Sequence, residues 1–219
     1  GRLLPRKILE LPAKGCINVH SSLLPKYRGA APINWAVLNG EEETGVTIMY
    51  MAQELDAGDI IAQASTPIDP EETVESVHDG LGARLLVQTV SRLEAGTAER
   101  TPQDGERATY APMLSRELSP IDWTRPAREI HDQIRGLIPW PASSTDLLGA
   151  GVVKVFGGRE TGESTSRRPG TILSADKRGI RVACGDGKVL CLTDLQAPGS
   201  RRMSAADYLR GHPVSAEED

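Results

Sequence analysis

Asn18-Val19-His20-Ser21-Ser22-Leu23-Leu24-Pro25 is the stretch on which the fold turns. With Cys16 and Ile17 before it, the run 16–20 has the apolar, β-branched make-up of a short buried strand, opened by Gly15 and closed by Ser21-Ser22. Side chains alternate along a strand, so Asn18 and His20 share a face. A carboxamide and an imidazole at a strand's C-terminal end, just before a tight Ser/Pro turn, face the crevice where open α/β sheets take ligands. A polar pair on an apolar strand costs stability unless it is hydrogen-bonded or put to use. Pattern alone leaves both readings open, a satisfied core histidine or a working pair.

Working outward, residues 31–39 suit a short helix closed by Gly40, with Pro32 in its first turn. Residues 46–51 and 60–63 read as strands. Between them lies Leu55-Asp56-Ala57-Gly58-Asp59, a solvated turn by composition, or a carboxylate delivered beside the imidazole. From Thr73 the period changes: Val74, Val77, Leu81, Leu85, Leu86, Val90 and Leu93 recur at steps of three and four, predicting one amphipathic helix from a Thr73 cap to Gly96. Strands alternating with helices over residues 1–98 predict part of a parallel α/β sheet. Residues 99–118 are polar and aperiodic, a linker. Beyond them come a helix over 126–135 and short strands at 152–156, 170–173, 180–183 and 189–193, separated by glycine-rich turns. That spacing predicts a small β-barrel over 119–219.

Composition narrows the class. Of 219 residues, 39% are hydrophobic and 25% charged, as in ordinary soluble globular chains. No run approaches the ~20 apolar residues that cross a bilayer. Cys16, Cys184 and Cys191 are widely spaced in apolar stretches and read as reduced core residues of a cytoplasmic protein, with no metal implied. His78 and His131 fall on predicted helices and His212 in the tail, none at ligand spacing, while Trp123, Trp140 and Phe156 read as packing residues. The net charge of −5 is uneven: residues 1–118 carry 11 basic against 17 acidic side chains, and the remainder 14 against 13. Neither part has the strongly basic balance that announces a nucleic-acid binder.

Asn-x-His-x-Ser-Leu-Leu-Pro followed by Leu-Asp-x-Gly-Asp resembles the signature of the formyltetrahydrofolate-dependent transferases. Lys26-Tyr27-Arg28-Gly29-Ala30-Ala31-Pro32-Ile33, Thr44-Gly45-Val46-Thr47-Ile48-Met49, Ile121-Asp122-Trp123, Pro139-Trp140-Pro141 and Met203-Ser204 are similar to the methionyl-tRNA formyltransferase branch in particular. The resemblance implies an α/β fold, with a partial Rossmann-like formyltransferase domain followed by a small OB-like β-barrel. It implies Asn18, His20 and Asp56 as the catalytic trio. Ser22, Leu23, Leu24 and Pro25, with Leu55 and Asp59 opposite, would hold the folate, and Leu24–Pro25 would be a cis bond. The formyl donor would be 10-formyltetrahydrofolate and the acceptor initiator methionyl-tRNA, with Lys154, Arg201 and Arg202 as candidate RNA contacts. A full-length enzyme of this kind would be monomeric and without membrane association. The resemblance begins near the middle of the family's first domain, so the chain reads as truncated at its N-terminus and is expected to be inactive alone. Two rivals stay open: a sugar-nucleotide formyltransferase acting on 4-amino sugars, and a non-catalytic fragment with weak RNA binding.

Overall fold

Antiparallel pairing, not parallel, organises the first half of the chain. The computed structural model describes residues 4–77, 80–147, 149 and 151–216, which leaves His78 outside the described residues. Two units emerge, one of Gly1–Ala36 with Glu41–Met113 and one of Val37–Gly40 with Leu114–Asp219. Residues 99–113 therefore pack with the first unit.

In the first unit, helix α1 (Arg6–Leu9) precedes strand β1 (Ile17–His20), the two-residue strand β2 (Arg28–Gly29) and helix α2 (Pro32–Leu38). Strands β3 (Glu43–Tyr50) and β4 (Ile60–Pro67) follow, then helix α3 (Leu81–Glu94) and strand β5 (Tyr110–Ala111). The sheet order is β1-β3-β4, and both pairings are antiparallel. Residues 51–59 are too few for the crossover of a dozen or more residues that a parallel β3–β4 pair would require, so the chain reverses as a hairpin. Among the described residues of this unit, the parallel pair is β2 with β5.

One face of the sheet is closed by α3. Val46, Ile48 and Ile61 pack on Leu85, with Leu81, Leu86 and Leu93 at the margin. This helix begins at Leu81 and not at Thr73: Gly80, in the left-handed conformation at φ 73°, is its N-cap, and residues 74–77 form turns. Val74 and Val77 keep helical spacing by coincidence, because a glycine between them and Leu81 redirects the chain. Thr44 to Met49 are all buried, so β3 is covered on both faces. Its second face, bearing Thr47 and Met49, is shared with His20 and Asn18 through the pairs His20–Thr47 and Asn18–Met49.

The second unit holds helix α4 (Ala127–Gly136), strands β6 (Ser143–Thr145), β7 (Val153–Ser164), β8 (Ile172–Asp176), β9 (Gly179–Ala183), β10 (Lys188–Gln196) and β11 (Met203–Ser204), and helix α5 (Ala205–Gly211). Its antiparallel path runs β6-β7-β10-β9-β8, with β11 on β10. Ile130 and Ile134 of α4 and Tyr208 of α5 join Val153, Val155, Ile180, Val182, Leu190, Leu192 and Leu195 in one core. Among the described residues the path ends at β6 and at β8 without closing into a barrel. Trp123 is buried and donates to Thr145 Oγ1 at 3.2 Å, whereas Trp140, expected to pack, is exposed. Cys184 and Cys191 are buried and Cys16 only half-buried, all three as free thiols.

Candidate active site

The strand register places the Asn18 and His20 side chains on the face of β1 opposite α3. His20 is 5% exposed, and its Nε2 lies 2.8 Å from the carbonyl oxygen of Tyr27. A carbonyl only accepts, so Nε2 carries the hydrogen and donates it. That leaves Nδ1 as the nitrogen facing Asp56 Oδ2, at 3.7 Å. The separation is beyond a direct hydrogen bond, yet close enough for the carboxylate to balance an imidazolium charge. Tyr27 offers its carbonyl from a left-handed conformation, φ 61°, held by its N–H donating to Thr109 Oγ1 at 2.9 Å.

Asp56 arrives from the β3–β4 connection. Its φ of 49° is rare for a residue with a side chain, and its Oδ2 accepts from the Gly29 N–H at 2.9 Å. Two glycines let these backbones approach. A Cβ at Gly29 would stand 2.6 Å from the carbonyl oxygen of Ala111, and one at Gly58 only 1.8 Å from that of Tyr50.

Asn18, His20 and Asp56 line one cavity of about 510 Å³, with Leu4, Met49, Met51 and Leu55 as its apolar part. Among the described residues the Asn18 carboxamide has no hydrogen-bond partner. A half-buried amide donor left free beside a buried imidazole and a carboxylate suits an acyl oxygen on which negative charge gathers.

The positions expected against folate divide. Leu55 lines this cavity. Leu23, Leu24 and Pro25 line a separate one of about 380 Å³, with Lys26, Tyr27 and Gln63. Ser22 is fully buried and donates to the Lys26 carbonyl at 2.7 Å, and Asp59 lines neither cavity. The Leu24–Pro25 bond is cis. Thr47 ties this turn to β3, donating to the Ser22 carbonyl at 2.6 Å and accepting from the Leu24 N–H at 3.1 Å. Lys154, Arg201 and Arg202 are exposed on the second unit. Lys154 pairs in register with Gln196, whose side chain donates to the Ser200 carbonyl at 2.7 Å, just before the two arginines.

Sequence reasoning missed Gln103. Its amide donates to the carbonyls of Asp56 at 2.8 Å and Gly58 at 2.7 Å, and its oxygen accepts from Arg28. No periodicity marks it, because it lies in an aperiodic segment hydrogen-bonded beside the loop.

Comparison with known proteins gives this geometry a family. The formyl transferase family profile matches residues 1–85, and the formyl transferase C-terminal domain profile matches residues 113–213. A methionyl-tRNA formyltransferase of Moorella thermoacetica is 50% identical over 217 residues, covering 98% of this chain and 69% of that protein. One of Trichlorobacter lovleyi is 47% identical over 218 residues, with 98% and 68% covered. The structure of HypX from Aquifex aeolicus in complex with tetrahydrofolic acid superposes with a TM-score of 0.71 at 22% identity, covering 93% of this chain and 36% of HypX, a likeness of fold. At such identity over nearly its whole length, the chain belongs to the methionyl-tRNA formyltransferase family.

Proposed function

We propose that Asn18, His20 and Asp56 carry the transfer of a formyl group from 10-formyltetrahydrofolate to the amino group of methionyl initiator tRNA, in the cytoplasm. The observation that carries this reading is the convergence of the three side chains on one cavity, with the Asn18 amide free among the described residues. The folate supplies the one-carbon unit at the formyl oxidation level, and the apolar wall of Met49, Met51 and Leu55 suits a flat pterin. Asn18 donates to the formyl oxygen as it gains charge, a contribution of about 3–4 kcal/mol for a well-aimed donor. His20, its Nε2 already committed to Tyr27, accepts the amine proton at Nδ1 as the new C–N bond forms. Asp56 balances the resulting imidazolium, and the proton is returned to the folate nitrogen as its bond to the formyl carbon breaks.

The second unit is read as an OB-like support for the tRNA, with Lys154, Arg201 and Arg202 toward the phosphates. The test is formylation of charged initiator tRNA beside formylation of a 4-amino-sugar nucleotide. In a chain completed to the length of its relatives, activity on the tRNA with none on the sugar is expected, and the reverse would overturn the substrate assignment.

A further inference from the structure

We propose that Gln103 is a positioning residue that, together with Arg28, sets Asp56 against His20. The inference rests on the reading of the trio given above. Gln103 uses both ends of its carboxamide. Its Nε2 donates to the carbonyls of Asp56 and Gly58, at 2.8 and 2.7 Å. Its Oε1 accepts from Nη2 and Nε of Arg28, at 2.8 and 3.1 Å. The amide has only one workable orientation, since a guanidinium only donates and the two carbonyls only accept.

Arg28 is 7% exposed, and among the described residues no carboxylate lies within ion-pair distance of it. Such a buried cation is a demanding neighbour, and the Gln103 oxygen answers it. The adjacent residue, Gly29, donates its N–H to Asp56 Oδ2. The dipeptide Arg28-Gly29 thus grips Asp56 twice, at the carboxylate directly and at the backbone through Gln103.

This matters because Asp56 sits at φ 49°, a conformation that persists only where surrounding contacts determine it. Thr101 and Ile60 exchange both backbone hydrogen bonds, at 2.8 and 2.9 Å, so the segment carrying Gln103 is itself docked beside the loop. Further along that segment, Thr109 accepts from the Arg28 N–H and Ala111 from the Ala30 N–H, each at 2.9 Å. One extended segment therefore fixes both sides of the 3.7 Å gap between His20 and Asp56. A carboxylate held at that distance is ready for a charge it does not yet meet. Released, it would lose the alignment on which efficient transfer depends.

Two variants separate positioning from mere support. Gln103→Met keeps the volume and loses every polar contact, whereas Gln103→Glu keeps an acceptor for Arg28 and loses both donated bonds. In a chain completed to the length of its relatives, each is measured for kcat, KM, melting temperature and the NMR amide-proton resonance of Gly29, which reports its contact with the Asp56 carboxylate. Each is expected to lower kcat about tenfold with KM within about threefold and to move the Gly29 resonance toward its position in Asp56→Asn. In an Asp56→Asn background each should cost less than twofold more. A Gly29 resonance left in place with rate losses that multiply would overturn the proposal, as would a Gln103→Glu variant as active as wild type. Full activity in Asp56→Asn itself would instead sink the reading of the trio. If either Gln103 variant fails to fold, the other and the Gly29 resonance still decide.

Discussion

His20 spends one ring nitrogen on the Tyr27 carbonyl, and that commitment separates its structural duty from its chemical one. A core histidine with no further role would find a partner for Nδ1 as well. Here Nδ1 faces a carboxylate across a gap, beside an asparagine amide that has no partner among the described residues. In a chain completed to the length of its relatives, Asn18→Ala, His20→Ala and Asp56→Asn are each expected to lower kcat by about 10²-fold or more with smaller effects on KM. The His20/Asp56 double variant should cost far less than the product of the singles, since the two act on one proton. A His20→Ala enzyme within threefold of wild type would end this assignment. The shared face of Asn18 and His20 was legible from alternation alone, but their meeting with Asp56 was not, because no spacing rule encodes a left-handed aspartate. The thiols behave oppositely. Burial pushes the Cys184 thiol up to about 11 and raises that of Cys191. Both neutral thiols favour the folded state, a contribution complete at neutral pH and lost as pH rises past the ordinary thiol range of about 8.5. Alkylation of the native chain near neutral pH should therefore modify Cys16 well before the other two, and denaturant should expose all three, as intact mass would record.

At the level of elements, local periodicity predicted well and pairing did not. Strand β1 and helices α2 and α4 fall close to the expected positions. The α3 start failed at Gly80, and the expected parallel sheet failed because the β3–β4 connection permits only a reversal. That same reversal delivers Asp56, so the loop has little freedom to change. Gly58→Ala would drive a methyl into the Tyr50 carbonyl, and the expected outcome is a loss of activity with a lower melting temperature, measured by assay and thermal scan. A neutral Gly58→Ala would mean that the loop relaxes easily and does not hold Asp56. In the second unit, Asp122 begins the approach to α4. The Thr124 hydroxyl first, then the Thr124 N–H, hold its carboxyl below the ordinary carboxylate range. A depressed carboxylate stabilises the fold above its unfolded pKa of about 3.9 and stops doing so as pH falls through its folded value. Asp122→Ala should lower the melting temperature at pH 7, and the gap between variant and wild type should close in strong acid. A gap that persists there would assign the effect to packing.

Across the whole molecule, the change from strand–helix alternation to closely spaced strands was legible in the sequence, whereas the open ends of the second sheet were not. Closure depends on which distant strands meet, and among the named strands of the described residues β6, three residues long, pairs with β7 alone. Charge offers a firmer argument at this scale. A chain of net −5 that handles a polyanion must work through local clusters, because its overall field repels the substrate. Lys154, Arg201 and Arg202 form the cluster the sequence singled out, and the Lys154–Gln196 register with the Gln196–Ser200 bond brings their segments side by side. Arg202 is partly engaged, lying 5.1 Å over the Phe156 ring and 3.8 Å from Asp194 Oδ1, so it is held in place without being neutralised by a close pair. If the three meet phosphates, each releases condensed counterions when tRNA binds, which steepens the fall of affinity with salt by about 0.7–0.9 per contact on logarithmic axes. The variant Lys154→Ala/Arg201→Ala/Arg202→Ala should thus bind initiator tRNA more weakly at low salt and show a slope shallower by about 2–3. Its melting temperature should barely move, because all three side chains are exposed. Binding titrations at several salt concentrations measure both quantities. An unchanged slope would remove these residues from the RNA surface and leave the first unit to make the phosphate contacts.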